Sequence, residues 1–371
     1  MAAKKILVGC SVRQDPLVFS AYLHALSNQE IPPGYEVDFL FVLDDDNPEP
    51  NAALIKERIP EAEVILADER PEQALYGIGQ QTHQWNEATF DHLAKQKQKL
   101  CNHTVEAEYD YLFLADSDLV VDTRTLKSLI ACDKPITSAV YWTQWQKNNP
   151  KSLGPNVWLR NPYAQDGMGL EHHEFWRRLV ERKVTRVYGG GACHLIKKGV
   201  LEKGVKYYPR LPGLPKEGMW QGEDRTFAIL AFRYHQHQWA DPWPYIWHAY
   251  HPEQRSGEIL DQALNVLLAD PSLFAKEGDW VNFTIQTMEE ASLRDQVFPV
   301  RGRLGGLTLA PEIEKTLLEL PVGESAIIEV SFPLWWPELA GQKRTLRIEL
   351  LDAKPYGFAP VLADHAFMGV K

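Results

Sequence analysis

At 371 residues, 44% of them hydrophobic and 24% charged, the chain is long enough for one large α/β domain with an appendage, or for two domains. Its formal net charge of −11 disfavours a broad electrostatic grip on nucleic acid or on an anionic membrane, so a polyanionic ligand has to be met by a local basic pocket. No apolar stretch reaches the length that crosses a bilayer, and the run Ile6-Leu7-Val8 is too short for a signal-peptide core, so the expected location is cytoplasmic.

The first half alternates in hydrophobic period. Strands are predicted at residues 5–10, 37–43 and 63–67, with helices at 17–28 and 52–59 between them. A long polar helix at 84–106 leads to an apolar strand at 111–115. Strands alternating with helices imply a parallel, right-handed wound sheet, in which ligands bind beyond the carboxyl ends of the strands. Ser11-Val12-Arg13, Asp44-Asp45-Asp46 and Asp116-Ser117-Asp118 all fall at such ends. Cys10, Cys101, Cys132 and Cys193 are widely spread without a C-x-x-C pair; they suggest neither a zinc knuckle nor a disulfide framework, and read as buried thiols.

Asp116 and Asp118 break the most apolar run of the chain. An unpaired carboxylate inside a sheet costs on the order of several kcal/mol, so the pair belongs where the strand emerges, and a cation is expected to meet it there. Two acids facing one crevice suit a hard divalent ion that bridges to phosphate. The plainer reading makes them caps for a helix beginning near Thr123.

Further along, residues 134–142 read as a strand and 143–169, rich in Asn, Pro, Gly and Trp, as a long loop. A helix is predicted at 171–182. Residues 186–196 look like a strand interrupted by Gly189-Gly190-Gly191, where glycine marks a bulge or a close backbone approach. Gly222 precedes Glu223-Asp224 and a helical run at 225–234; another helix is expected at 259–268. From Val297 the character changes to short β-type runs at 326–332 and 345–351, and a boundary is placed near Val300, giving domains 1–299 and 300–371.

In order and spacing these marks resemble nucleotide-sugar-dependent glycosyltransferases of the GT-A fold, closest in flavour to the family-two group. The resemblance covers roughly residues 4–252 and rests on Cys10-Ser11-Val12-Arg13, Asp44-Asp45-Asp46, Asp116-Ser117-Asp118, Gly222-Glu223-Asp224 and His248. It implies a mixed, mainly parallel α/β sheet flanked by helices, with the β-rich tail as an appendage. It further implies a sugar donor carried on a nucleoside diphosphate and a Mn²⁺ or Mg²⁺ ion. Asp118 would bind that metal, Asp116 would support the metal shell or orient the ribose, and His248 would be a further ligand, with His251 in reserve. Asp224 would be the general base for an acceptor hydroxyl, on a glycan, lipid-linked, protein or small-molecule acceptor, and Glu223 would position it. Adjacent acids at a helix start also stabilise the macrodipole without any catalytic role.

Donor contacts are expected from Ser11, Val12 and Arg13 at the first strand end and from Asp44 or Asp45 at the second. Among Lys95, Lys97 and Lys99, helical spacing puts Lys95 and Lys99 on one face, and Lys99 is the choice for the diphosphate. Trp220 could stack on a sugar ring or simply pack. The run of three acids followed by Asn47-Pro48 departs from the family turn, so the base is left open; the absence of a Gln-x-x-Arg-Trp signature argues against a processive synthase. A haloacid-dehalogenase-type phosphatase also satisfies Asp116-x-Asp118, with Asp116 as nucleophile, but its motif ends the first strand of the domain. A sugar nucleotidylyltransferase lacks its glycine-rich basic loop here, and a non-catalytic carbohydrate-binding protein would not need both acid pairs.

Overall fold

The computed structural model describes residues 3–74, 77–78, 83–84, 86–145, 153–159, 174–175, 178–179, 182–208, 222–267, 280–288, 297–303, 311–320, 324–331 and 343–354. Trp220 lies outside them, as do most of the long loop predicted at 143–169 and much of the helix predicted at 171–182. The chain divides into two units, Met1–Leu268 and Ala269–Lys371.

The first unit opens with β1 (Lys4–Val12), α1 (Pro16–Ser27), β2 (Tyr35–Leu43), α2 (Glu49–Arg58) and β3 (Glu63–Leu66). Helix α1 starts where Asp15 accepts from the Leu17 amide at 2.9 Å and Pro16 supplies a preset φ, two devices that satisfy a helix amino terminus. After two-residue strands β4 (Gly77–Ile78) and β5 (His83–Gln84) comes α3 (Glu87–Glu106), capped by Asn86 on the Thr89 amide at 2.8 Å. The buried face of α3 carries Thr89, His92, Gln96, Lys97, Leu100, Cys101 and Thr104, polar groups among apolar ones. Leu100 presses on β1 at Gly9, where an added Cβ would meet its Cδ2 at 3.1 Å.

Then follow β6 (Tyr111–Ala115), β7 (Leu119–Val121), α4 (Thr125–Ala131), β8 (Ile136–Ala139), β9 (Trp142–Gln144), β10 (Leu153–Pro155) and β11 (Val157–Trp158). The unit closes with β12 (Thr185–Val187), β13 (Gly189–Gly190), β14 (Cys193–Lys197), α5 (Lys198–Glu202), α6 (Glu223–Arg233), β15 (Gln238–Asp241), β16 (Ile246–His248) and α7 (Gly257–Leu267). Among the described residues the central sheet has eight strands in the order β12-β15-β8-β14-β6-β1-β2-β3. Strands β3, β2, β1 and β6 run parallel, as do β15 and β8; β14 runs antiparallel to both β6 and β8, and β12 to β15. The fold is thus a mixed α/β, mostly parallel sheet flanked by helices. Its core includes Leu7, Leu40, Leu100, Leu112, Leu114, Ile136, Ile196 and Phe227, all buried.

The glycine-broken segment expected as one strand is three. Strand β12 sits at the sheet edge, β13 pairs with β11 outside the sheet, and β14 enters the middle of it. A second ladder lies apart from the central sheet: β16 pairs antiparallel with β7, His248 opposite Leu119.

The second unit is an antiparallel sheet of β17 (Trp280–Thr287), β18 (Val297–Arg303), β19 (Ser325–Ser331) and β20 (Lys343–Lys354) in the order β18-β17-β20-β19, with helix α8 (Pro311–Glu319). Leu346, Ile348 and Leu350 alternate inward along β20, and Ile313 and Leu317 line one face of α8. The division falls earlier than the boundary expected near Val300, because β17 pairs with β18 and β20 and so belongs with the strands that follow it.

Candidate functional site

Strands β1, β2 and β6 are parallel neighbours, so their carboxyl ends open on one edge of the sheet. Strand β14 runs the other way, and the chain that enters it, from Gly189 to Ala192, arrives at that same edge: the Asp116 amide donates to Ala192 O at 2.8 Å. Asp116 therefore leaves the sheet beside the glycine segment that packs against the start of α6.

The amino terminus of α6 brings the second acid pair. Gly222, at φ 130°, takes a backbone conformation that side-chain-bearing residues rarely adopt, and Glu223 and Asp224 form the first helical turn. There the helix dipole favours their negative charge. Gly191 lets Asp224 approach: a Cβ at position 191 would lie 2.7 Å from Asp224 Oδ2. Close backbone approach, expected of the glycine run, is what the structure shows.

Between the two acid pairs stands Lys97. From the buried face of α3 its Nζ reaches Glu223 Oε1 at 2.9 Å, Asp224 Oδ1 at 3.2 Å and Asp116 Oδ1 at 3.4 Å, with its side chain 3% exposed. The ring of Tyr207 lies 5.6 Å from the ammonium. Burial alone would lower the Lys97 pKa, but Asp116, Asp224 and Glu223 outweigh it and raise it well above its ordinary value. Burial raises the Glu223 carboxyl, opposed by Lys97 and reinforced by Asp224. Asp116, 38% exposed, is raised in the same sense by burial, against Lys97 and with Asp224, Asp118 and Glu223.

Asp118 takes a different partner. Its Oδ2 lies 3.2 Å from His248 Nε2, and its backbone carbonyl accepts from the Ala249 amide at 2.9 Å. The other ring nitrogen, Nδ1, is 2.7 Å from Thr143 Oγ1, and Tyr141 and Tyr250 flank the imidazole with centroids at 4.9 and 5.0 Å. When Thr143 accepts from Nδ1, Nε2 turns its lone pair toward Asp118. His251 instead begins the following 3₁₀ turn: its amide donates to Gln254 Oε1 at 2.8 Å and its carbonyl accepts from the Gln254 amide at 2.9 Å.

Among the described residues no acid side chain caps the helix at Thr125–Ala131, whose N-cap position is Arg124. In the turn before it Asp122 accepts from the Arg124 amide at 2.9 Å, and its carbonyl accepts from Thr125 Oγ1 at 2.7 Å.

At the β2 end, Asp44 Oδ1 lies 2.7 Å from His92 Nε2, both groups buried. Burial raises the Asp44 carboxyl, and the hydrogen bond and charge of His92 oppose it. Asp45 accepts from the Gln14 amide at 3.0 Å and from Asn51 Nδ2 at 2.8 Å, which ties the first strand-end loop to the second. Arg13 donates to Asp44 O at 3.0 Å and pairs with Asp46 at 2.9 Å; Arg70 also pairs with Asp46. Val12 is wholly buried, so the part of it that can meet a ligand is its backbone, and Ser11 is half-buried beside it.

The structure thus brings Asp116, Asp118, Glu223, Asp224 and His248 together, with Ser11, Val12, Arg13, Asp44 and Asp45 further along the same edge. Lys99 pairs with Asp68 at 2.9 Å. Lys97 is the lysine among the acids, not Lys99, which sequence favours as the lysine standing nearest to the strand that carries Asp116. His92 also went unnoticed, since an isolated histidine in a polar helix carries no signal of its own.

Among the described residues no three His, Cys, Asp or Glu side chains are grouped closely enough to hold a metal ion. Asp118 and His248 do offer a carboxylate oxygen and an imidazole nitrogen 3.2 Å apart. Bond lengths of about 2.1 Å put adjacent ligands of an octahedral ion roughly 3 Å apart, so this pair fits two neighbouring positions of such a centre. Asp116 is held toward Lys97. Among the described residues no helix is long and apolar enough to cross a membrane.

No protein-family model matches the chain, and no curated protein matches it in sequence. Solved structures similar to parts of it include Staphylococcus aureus TarS at 13% identity and a TM-score of 0.40, over 72% of this chain and 40% of that one. A second, TarS 1-349 in complex with UDP, is 12% identical with a TM-score of 0.38, over 64% of this chain and 57% of that one. A third, TarS 1-349 in complex with UDP-GlcNAc, is 12% identical with a TM-score of 0.35, over 64% of this chain and 55% of that one. This chain therefore spans about half the length of those proteins or less.

Proposed function

We propose that this chain is a nucleotide-sugar-dependent glycosyltransferase of GT-A type, moving a hexose or similar sugar from a nucleoside diphosphate to an acceptor hydroxyl. The observation that carries the reading is the convergence of Asp116 with Glu223 and Asp224 on one buried ammonium, with Asp118 and His248 alongside. Two acid duties are thereby brought to one crevice edge, where α/β sheets bind their ligands.

Asp118 and His248 are the residues that would hold a divalent cation, with Asp116 next to them; such an ion supplies charge to a departing diphosphate. Arg13, Asp44 and Asp45 stand further along the edge, where the donor's base and ribose would lie. Asp224 accepts the proton of the acceptor hydroxyl as its oxygen attacks the anomeric carbon. The bond to the diphosphate oxygen breaks and its electron pair leaves with the nucleotide. Glu223 positions the acceptor. A single displacement of this kind inverts the anomeric centre. None of these residues lies in 269–371, and we assign that unit no part in the chemistry.

Calorimetry with UDP, GDP and CDP, each with and without Mn²⁺, tests the reading. One nucleoside diphosphate is expected to bind in a cation-dependent manner. Absence of binding by all three would overturn the assignment.

A further inference from the structure

The mechanism above leaves Lys97 without a duty, although it is the most enclosed charge at the site. An ammonium has three N–H donors, and here three carboxylates surround it at 2.9, 3.2 and 3.4 Å. The two halves of this arrangement come from different parts of the chain, with Lys97 and Glu223 separated by 126 positions. A buried cation held by several acids is a poor way to gain stability, because desolvating each charge costs several kcal/mol as an order of magnitude and a well-packed apolar group would fill the same space. What such a cluster does supply is a fixed geometry.

Asp224 is restrained from two sides. Lys97 holds Oδ1, while the backbone at Gly191 closes on Oδ2, leaving no room there even for a methyl group. Lys97 itself is anchored by the buried face of α3, which packs on β1. Resting on the transferase reading, we infer that Lys97 is a positioning residue that holds the donor-side acid Asp116 and the acceptor-side acids Glu223 and Asp224 at one fixed separation. The proton acceptor is then set at the right distance from the breaking bond before either substrate arrives.

The test uses full-length chain and measures three quantities: Mn²⁺-dependent nucleoside diphosphate binding, melting temperature, and hydrolysis of UDP-glucose, UDP-N-acetylglucosamine and GDP-mannose, whichever the wild type cleaves. Lys97→Met is expected to keep nucleotide binding, since Asp118 and His248 are untouched, and to lose turnover by about 10²-fold, the usual consequence of a reacting group displaced by about 1 Å. It is also expected to melt earlier, because the acids lose their counter-ion. The double variant Lys97→Met/Glu223→Gln, with one negative charge fewer, is expected to regain the melting temperature yet to turn over about 10²-fold more slowly than Glu223→Gln alone. Equal turnover in the double variant and Glu223→Gln would overturn the inference, because Lys97 would then serve only to neutralise Glu223. Wild-type turnover in Lys97→Met would overturn it too. Should Lys97→Met fail to fold, the double variant still gives the decisive comparison. A wild-type chain that binds none of the nucleotides and cleaves none of the donors would overturn the transferase reading itself, a failure seen before any variant is made.

Discussion

The imidazole of His248 meets the carboxylate of Asp118 at 3.2 Å across 130 positions of sequence, because β16 pairs with β7 in the register that sets His248 opposite Leu119. Asp118→Asn keeps the shape of the side chain and removes the charge that would attract a cation. It is expected to abolish Mn²⁺-dependent nucleotide binding in calorimetry. Thr143→Val removes the partner of Nδ1 and is expected to weaken the same binding by about 10-fold or more, the usual effect of losing a group that orients a ligating histidine. Unchanged affinity in Asp118→Asn would leave that residue no part in holding a cation.

Asp224→Asn should separate proton transfer from donor binding. Nucleotide and Mn²⁺ affinity is expected to hold, while sugar transfer falls by about 10²–10⁴-fold, the range for losing a positioned general base. If the variant instead loses donor binding as severely as Asp118→Asn, both acids serve the cation and Glu223 becomes the candidate base.

Two neighbouring glycines should fail in different ways. A Cβ at Gly191 lies 2.7 Å from Asp224 Oδ2, the far end of a side chain that can move aside. Gly191→Ala is therefore expected to melt near the wild-type temperature and to lose turnover. At Gly189 the added atom meets Trp158 Cζ2 at 2.5 Å and Ala228 Cβ at 2.6 Å, which are packed groups. Gly189→Ala is expected to cost about 1–3 kcal/mol in urea unfolding, as overpacked cores do.

Stability should fall on the acid side through His194. Its ring is buried, with Nδ1 2.8 Å from Ser138 Oγ and Nε2 without a hydrogen-bond partner. Burial, helped by the charge of Lys97, lowers its pKa to about 3. The unfolded chain takes up a proton below about 6.5 and the folded chain resists it, so stability that is full above that pH is lost as pH falls toward 3. Between pH 6.5 and pH 5 the loss from this one group is about 2 kcal/mol. His194→Gln is expected to remove that part of the pH dependence; parallel stability curves for variant and wild type would rule it out.

Most of the first unit's elements were legible because charge interrupts apolar runs at their ends: Asp44 after β2, Asp116 after β6, Glu223 at the start of α6. Direction was not legible. An apolar run reads alike in either sense, so β14 gave no sign that it enters the sheet antiparallel or that residues 185–197 serve three different ladders. Lys97 was hidden for a related reason. Spacing along α3 separates its faces but does not say which one turns inward, and composition argues that lysines turn outward. The pairing of Asp44 with His92 joins residues 48 apart, and only the packing of α3 against the sheet discloses it.

Reversal of β14 also bears on when the site comes into being. Its groups meet only after the ribosome has delivered α6 and β16, since the two central contacts close loops of 126 and 130 residues. The opening strands and helices draw on local and near-neighbour pairings, which pay little loop-closure entropy and form early; the acid cluster waits for contacts of high sequence separation. A nascent chain stalled before Gly222 would therefore carry Asp116 and Asp118 without Glu223, Asp224 or His248, and pulse-labelled hydrogen exchange during refolding should show β1, β2 and β3, which pair with near neighbours in sequence, protected ahead of α6.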